Sequence, residues 1–200
     1  TALQMLGLGR ERVHRVAVDG QGRMLPADLR TTLAPLAGRP TLVCAQAGNI
    51  NTGAFDPLVE IADLALPHGA WLHVDGAFGL WAGASPELRH HVRGLGRADS
   101  WATDAHKWLN VPYDSGLVFC AHPEAHRAAL TAHFFARLGA ELGRRPPTLS
   151  PEAQALWDRH PWPGNVRELR NAVERLLVLH DGGVVEVDDL PPELRAHAGR

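Results

Sequence analysis

The sequence predicts an α/β fold. A partial, mostly parallel sheet with flanking helices spans residues 1–130, and a small all-α subdomain follows over residues 131–200. Three observations predict this. Between residues 13 and 121, short and nearly all-apolar runs alternate with amphipathic stretches, as in strands buried in a parallel sheet. After about Leu130 that alternation stops and only helical periodicity remains. The composition, 45% apolar and 21% charged over 200 residues, is that of an ordinary globular chain able to build a core.

In chain order, residues 13–18, 41–47, 71–75, 99–103 and 116–120 read as strands. Residues 26–37 and 57–66 read as helices, each with proline in its first turn and an acidic residue near its start. The polar clusters 48–56, 75–79 and 103–110 each follow a strand, and in open α/β sheets chemistry gathers beyond the carboxyl ends of strands. In the second part, one helix begins at Pro123 and carries Leu130, Phe134, Leu138 and Leu142 at four-residue spacing. A second covers about 151–159. A third runs from Asn165 to about His180, with Val166, Leu169, Val173, Leu176 and Leu177 on one face and Asn165 as its cap. Residues 188–194 form a last turn.

Several function classes are excluded. The net charge is −2, and no long basic run is present, so electrostatically driven nucleic-acid binding is not expected. No stretch of about 18 apolar residues could span a membrane. No charged-then-apolar leader opens the chain, which predicts a cytoplasmic protein. Cys44 and Cys120 lie in apolar runs without a CxxC pair, so neither a disulfide framework nor a zinc ribbon is expected. His122 and His126 are four apart but lack the zincin order, and His90 and His91 are expected to face solvent in different directions.

One count points to chemistry. Of the 20 basic residues only Lys107 is a lysine. Arginine replaces lysine on a solvated surface but not where an amine must lose its proton and attack a carbonyl. Lys107 is therefore a candidate nucleophile. Because it follows His106 rather than glycine, it also excludes a phosphate loop of the Walker type.

The segment HVDGAFG, followed by ADSWATDAHKWLN, resembles the group II pyridoxal-phosphate (PLP) decarboxylases of the aspartate aminotransferase fold. AGNINTGAFDP upstream and LGLGRERVHRVAVDGQGRM near the start match the same family in order and spacing. The resemblance implies a carboxy-lyase acting on an amino-acid-like small molecule. PLP would be held by Lys107 as an internal aldimine, and Asp75 would keep the pyridine nitrogen protonated. It also implies Ala77 against the cofactor ring and His106 near the phosphate. Asn49 and Thr52 either contact cofactor or substrate, or build the turn before Asp56. Where many members carry Thr-Thr, this chain has Asn49 and Ile50, which leaves a related carbon–carbon lyase or an aminotransferase-like branch open. The family's phosphate cup is not among the matching segments, so weak PLP binding is expected. Homodimers are usual in that family.

The later segment WPGNVREL, with its flanks, is similar to the helical lid of the AAA+ domain in sigma-54-dependent transcriptional activators. The resemblance implies that Arg167 is a sensor-II arginine reaching nucleotide phosphates. Without a phosphate loop, ATP binding is not expected. The string TGAF at 52–55 matches the sigma-contacting loop of those activators but lies in the wrong half and reads as coincidence. The chain is thus expected to be a chimera joined near 128–131. Three readings stay open: a PLP-dependent lyase or its remnant, a regulatory module from an activator ATPase, and an inert fusion of the two.

Overall fold

The computed structural model describes residues 12–196, and residues 6–11 of the LGLGRERV stretch lie outside them. The chain divides into two compact units after Ala121.

In the first unit, strands β1 (Leu42–Gln46), β2 (Trp71–Asp75), β3 (Ser100–Asp104) and β4 (Gly116–Cys120) form one sheet in the order β1-β2-β3-β4. The first two pairings are parallel and β3–β4 is antiparallel. That reversal follows from length. Only residues 105–115 separate β3 from β4, and a parallel return needs a crossover of a dozen residues or more, usually a full helix.

Helices α1 (Pro26–Leu33) and α2 (Leu58–Ala65) join the sheet in one core, in which Leu29, Leu33, Leu58, Ile61 and Ala62 meet Val43, Ala45, Leu72 and Val74. Burial alternates along β1 and β2. The opposite face, with Leu42, Cys44 and Val118, stays exposed. The strands are therefore half-buried, not enclosed on both faces as their apolar runs suggest.

The expected strand at 13–18 does not form. Val18 makes one antiparallel bridge to Met24, and the Ala17 N–H donates to the Asp28 carboxylate at 2.7 Å. With a side chain as its partner, this extended segment has no ladder to join.

The second unit begins with α4 (Pro123–Leu142), a continuous helix that ends at Gly143 in the left-handed conformation. The expected boundary at 130/131 falls inside it, whereas the compact units divide before it. The helix buries Phe134, Phe135 and Leu138, while Leu142 is exposed. Four-residue spacing drifts about 40° per step around a helix of 3.6 residues per turn, so the stripe rotates out of the core before its end.

Helices α5 (Pro151–Arg159) and α6 (Asn165–Leu179) complete the layer, with α7 (Pro192–Arg195) after them. Contrary to the expectation that strands stop at Leu130, β5 (Thr148–Leu149) pairs in parallel with β6 (Val184–Val185). Leu169, Ala172, Val173, Leu176 and Leu177 of α6 are buried, but Val166 is exposed.

Asn165 is not the cap. Gly164 holds that place, and its N–H donates to Glu168 Oε2 at 2.7 Å. The other oxygen of Glu168 lies 2.8 Å from Nε2 of buried His160. Burial pushes the Glu168 carboxyl up, but the bonds from His160 and Gly164 outweigh it and hold the group below its ordinary 4.5. A depressed carboxylate stabilises the fold fully above the unfolded value, and that contribution is lost as pH falls through the native one. Acidification below about 4.5 should therefore weaken α6. Hydrogen exchange of its amides as a function of pH checks this. Glu168→Gln should flatten that part of the profile, and an unchanged acid slope would remove Glu168 as the cause.

Candidate active site

Two backbone junctions at the carboxyl edge of the sheet position the candidate residues. β2 ends at Asp75, whose Oδ1 accepts the Ala77 N–H at 3.0 Å and so shapes the turn that follows. The turn is pinned to β3. The Gly76 N–H donates to the Ala102 carbonyl at 2.8 Å, and the buried Thr103 hydroxyl donates to the Gly76 carbonyl at 3.1 Å. A Cβ at Gly76 would stand 2.8 Å from Leu80 Cβ, so only glycine permits this approach.

β3 runs directly into the short helix α3 (Ala105–Trp108), which carries His106 and Lys107. Asp75 is the register partner of Ala102, so Asp75 and α3 leave neighbouring parallel strands at the same end. Phe78, three residues beyond Asp75, lies under Lys107, with Nζ 3.7 Å from the ring centroid. The Lys107 ammonium also pairs with Asp104 Oδ2 at 2.7 Å.

His106 is committed to the loop before β4. Its Nδ1 lies 3.1 Å from both the amide nitrogen and the carbonyl oxygen of Ser115, and its ring packs against Tyr113. Its Nε2 is 3.9 Å from Asp104 Oδ2. Trp108 and Leu109, beside Lys107, are exposed and do not bury it.

Asn49 and Thr52 build a turn. The Asn49 side chain accepts the N–H groups of Asn51 and Thr52 and donates to Gln46 Oε1, while the Thr52 hydroxyl donates to the Gln21 carbonyl at 2.7 Å. That turn is locked to the Asp75 loop by a close approach of glycines. A Cβ at Gly48, where φ is +87°, would come within 2.6 Å of the Gly79 nitrogen. Asp56 is buried and accepts the N–H groups of Met24 and Gln46, both at 2.7 Å. Burial outweighs those bonds and pushes its carboxyl up.

On the sheet face that carries Asp75, His73 lies two residues earlier. Its Nδ1 is 2.8 Å from Ser100 Oγ, which also accepts the Trp71 indole N–H. Burial pushes the His73 ring down, partly offset by Asp75. A cleft of about 700 Å³ opens elsewhere, lined by residues that include Phe55, Asp56, His91 and Arg93 but neither Asp75 nor Lys107. There His90 and His91 are both exposed, yet their rings lie 3.9 Å apart instead of diverging.

The structure therefore places Asp75 and Ala77 on the turn after β2 and His106 and Lys107 on the helix after neighbouring β3, with the contact of Lys107 on Phe78 between them. Asn49 and Thr52 occupy the adjoining turn, and Arg167 is exposed at the start of α6 in the other unit. Sequence reasoning missed Asp104 and Phe78. For Asp104 the signal was present: a carboxylate three residues before the lysine at a strand–helix junction, the spacing at which helical side chains meet.

The chain is similar to known proteins over both of its parts. Residues 128–200 match the AAA+ ATPase lid domain. The bovine acidic amino acid decarboxylase GADL1 is 45% identical over 119 residues, which are 58% of this chain and 22% of that protein. Rat cysteine sulfinic acid decarboxylase is 47% identical over 107 residues, 52% of this chain and 22% of that protein.

Among solved structures, mouse CSAD superposes with a TM-score of 0.56 at 39% identity, covering 59% of this chain and 25% of that one. Rhodiola rosea 4-hydroxyphenylacetaldehyde synthase gives 0.59 at 30% identity, covering 66% and 29%. The chain thus spans about a fifth to a quarter of the length of the curated relatives. Residues 3–134 match the pyridoxal-dependent decarboxylase conserved domain, and with that match over more than half its length the chain belongs to the pyridoxal-dependent decarboxylase family, whose cofactor is pyridoxal phosphate.

Proposed function

We propose that this chain carries the cofactor-holding edge of a PLP-dependent amino-acid carboxy-lyase, with Lys107 as the amine that takes the cofactor. The observation that carries this is the placement of the only lysine side chain over Phe78, on the same edge as Asp75.

The donor set suits the group. Asp75 is an exposed carboxylate at a strand end, able to pair with a protonated ring nitrogen. Ala77 leaves room beside the backbone, and the Phe78 ring orients the lysine side chain. His106, stiffened by Ser115 and Tyr113, is the neighbouring imidazole available to the phosphate end. Bound PLP supplies an electron sink for a substrate carbanion. Two of the relatives named above are by name decarboxylases of acidic amino acids and of cysteine sulfinic acid, and an amino acid is the proposed substrate class. Taken alone, these residues hold the cofactor weakly, because a phosphate dianion is best met by several charge-assisted donors.

Titrating the chain with PLP, reducing with borohydride and mapping the adduct by peptide mass tests the reading. Modification of the Lys107 peptide is expected. Modification of the chain's α-amino group alone, or none at all, would refute it.

A second reading is favoured by the AAA+ lid match at residues 128–200, which overlaps the decarboxylase match only at 128–134. In it, the chain is a fusion of two families, and the second unit is a sigma-54 activator lid whose Arg167 serves as sensor. Nucleotide binding lost in Arg167→Ala would support this. Absence of any nucleotide binding leaves the second unit as an interaction module or an inert partner in the fusion.

A further inference from the structure

We propose that Asp104 is the positioning residue of Lys107, holding its amine over Phe78 at the open edge of the sheet. Asp104 occupies the N-cap of α3 with extended backbone angles, φ −103° and ψ 115°. An aspartate there ordinarily turns its carboxylate back to accept an N–H of the first helical turn. Asp104 makes no such bond. Its Oδ2 meets Lys107 Nζ at 2.7 Å instead, so the ammonium sits between a carboxylate and the face of an aromatic ring.

The carboxylate is carried on stiff backbone. One residue before it, the buried Thr103 hydroxyl is bonded to Gly76, and one residue after it the Ala105 N–H donates to the Ser115 carbonyl at 2.8 Å. Its cross-strand partner is Gly116, where even an added Cβ would come only to 3.9 Å from Oδ1. The residue opposite it on β4 therefore has no side chain to cover the carboxylate. His106 Nε2, at 3.9 Å from the same oxygen, is the next group it can engage. A casual surface pair would show none of this commitment.

The inference rests on Lys107 being the amine that takes the cofactor, but its test does not need the cofactor. Because Lys107 is the only lysine, formaldehyde with a borohydride reductant reads it directly as methylation of one peptide. The α-amino group, resolved as a separate peptide, corrects for effects on the reagent.

Between about 10 mM and about 1 M salt the Debye length falls from ~30 to ~3 Å, so labelling of Lys107 should accelerate as the pair is screened. At low salt Asp104→Asn should label roughly two- to fivefold faster, the scale of one partly exposed ion pair, and lose the salt response. Asp104→Glu should restore that response. Salt-independent labelling of the unsubstituted chain, or equal rates in Asp104→Asn, would overturn the proposal, and the salt arm stands even if a variant fails to fold. If PLP never attaches while labelling keeps its salt response, the functional reading fails and the positioning role survives.

Discussion

Lys107→Arg is expected to reduce the borohydride-fixed PLP adduct to below detection while leaving the fold intact. The substitution separates charge from nucleophilicity. Arginine keeps a cation three residues from Asp104 and over Phe78, so the pair at 2.7 Å and the ring contact have a successor. A guanidinium does not give up its proton in a protein, and without a lone pair it cannot attack an aldehyde. With the side chain about one-quarter exposed, the change in stability should stay within about 0.5 kcal/mol. Peptide mass after reduction reads the first half of the prediction and thermal unfolding the second. An adduct that survives on another group would show that the edge described here is not where the cofactor is taken.

The largest effect on stability is expected in the helical unit, at Trp157. Its side chain is 1% exposed and lies within the core that includes Phe135, Leu138, Val173 and Leu177. The indole stacks on Phe135 and meets Trp162 edge-on, and its N–H donates to the Thr131 hydroxyl at 3.2 Å. Trp157→Ala removes the aromatic area, leaves a cavity and strands that hydroxyl, at a cost of about 3–5 kcal/mol. Exchange of the α6 amides through global opening of the unit should then quicken roughly 10²- to 10⁴-fold, or the unit should unfold outright. Exchange unchanged within tenfold would mean that Trp157 does not hold these helices together.

Much of this architecture was legible in local patterns. β2 and β4 begin and end where their apolar runs do, and α5 starts at Pro151 because Ser150 caps it through the Ala153 N–H. Where reading failed, a distant partner decided. The run at 13–18 has strand-like residues, but its amide went to Asp28. Asn165 has the right chemistry for a cap, but the cap position falls one residue earlier, at Gly164, whose N–H is held by Glu168, itself bonded to His160. Val166 fits the apolar stripe of α6 and is exposed because nothing packs over that end of the stripe.

The sequence alone pointed to the family and singled out Lys107 as the candidate amine. A unique lysine set between His106 and Trp108, downstream of an acid at a strand end, is a statement about covalent chemistry, which residue type decides. The tertiary structure decided what surrounds that amine. Asp104 lay within reach by its three-residue spacing, but Phe78 approaches Lys107 from the turn after the neighbouring strand, and His106 is turned toward Ser115 of the loop before β4. Such contacts depend on how neighbouring strands end and turn, and no spacing along one strand or helix encodes the distance between groups carried on two.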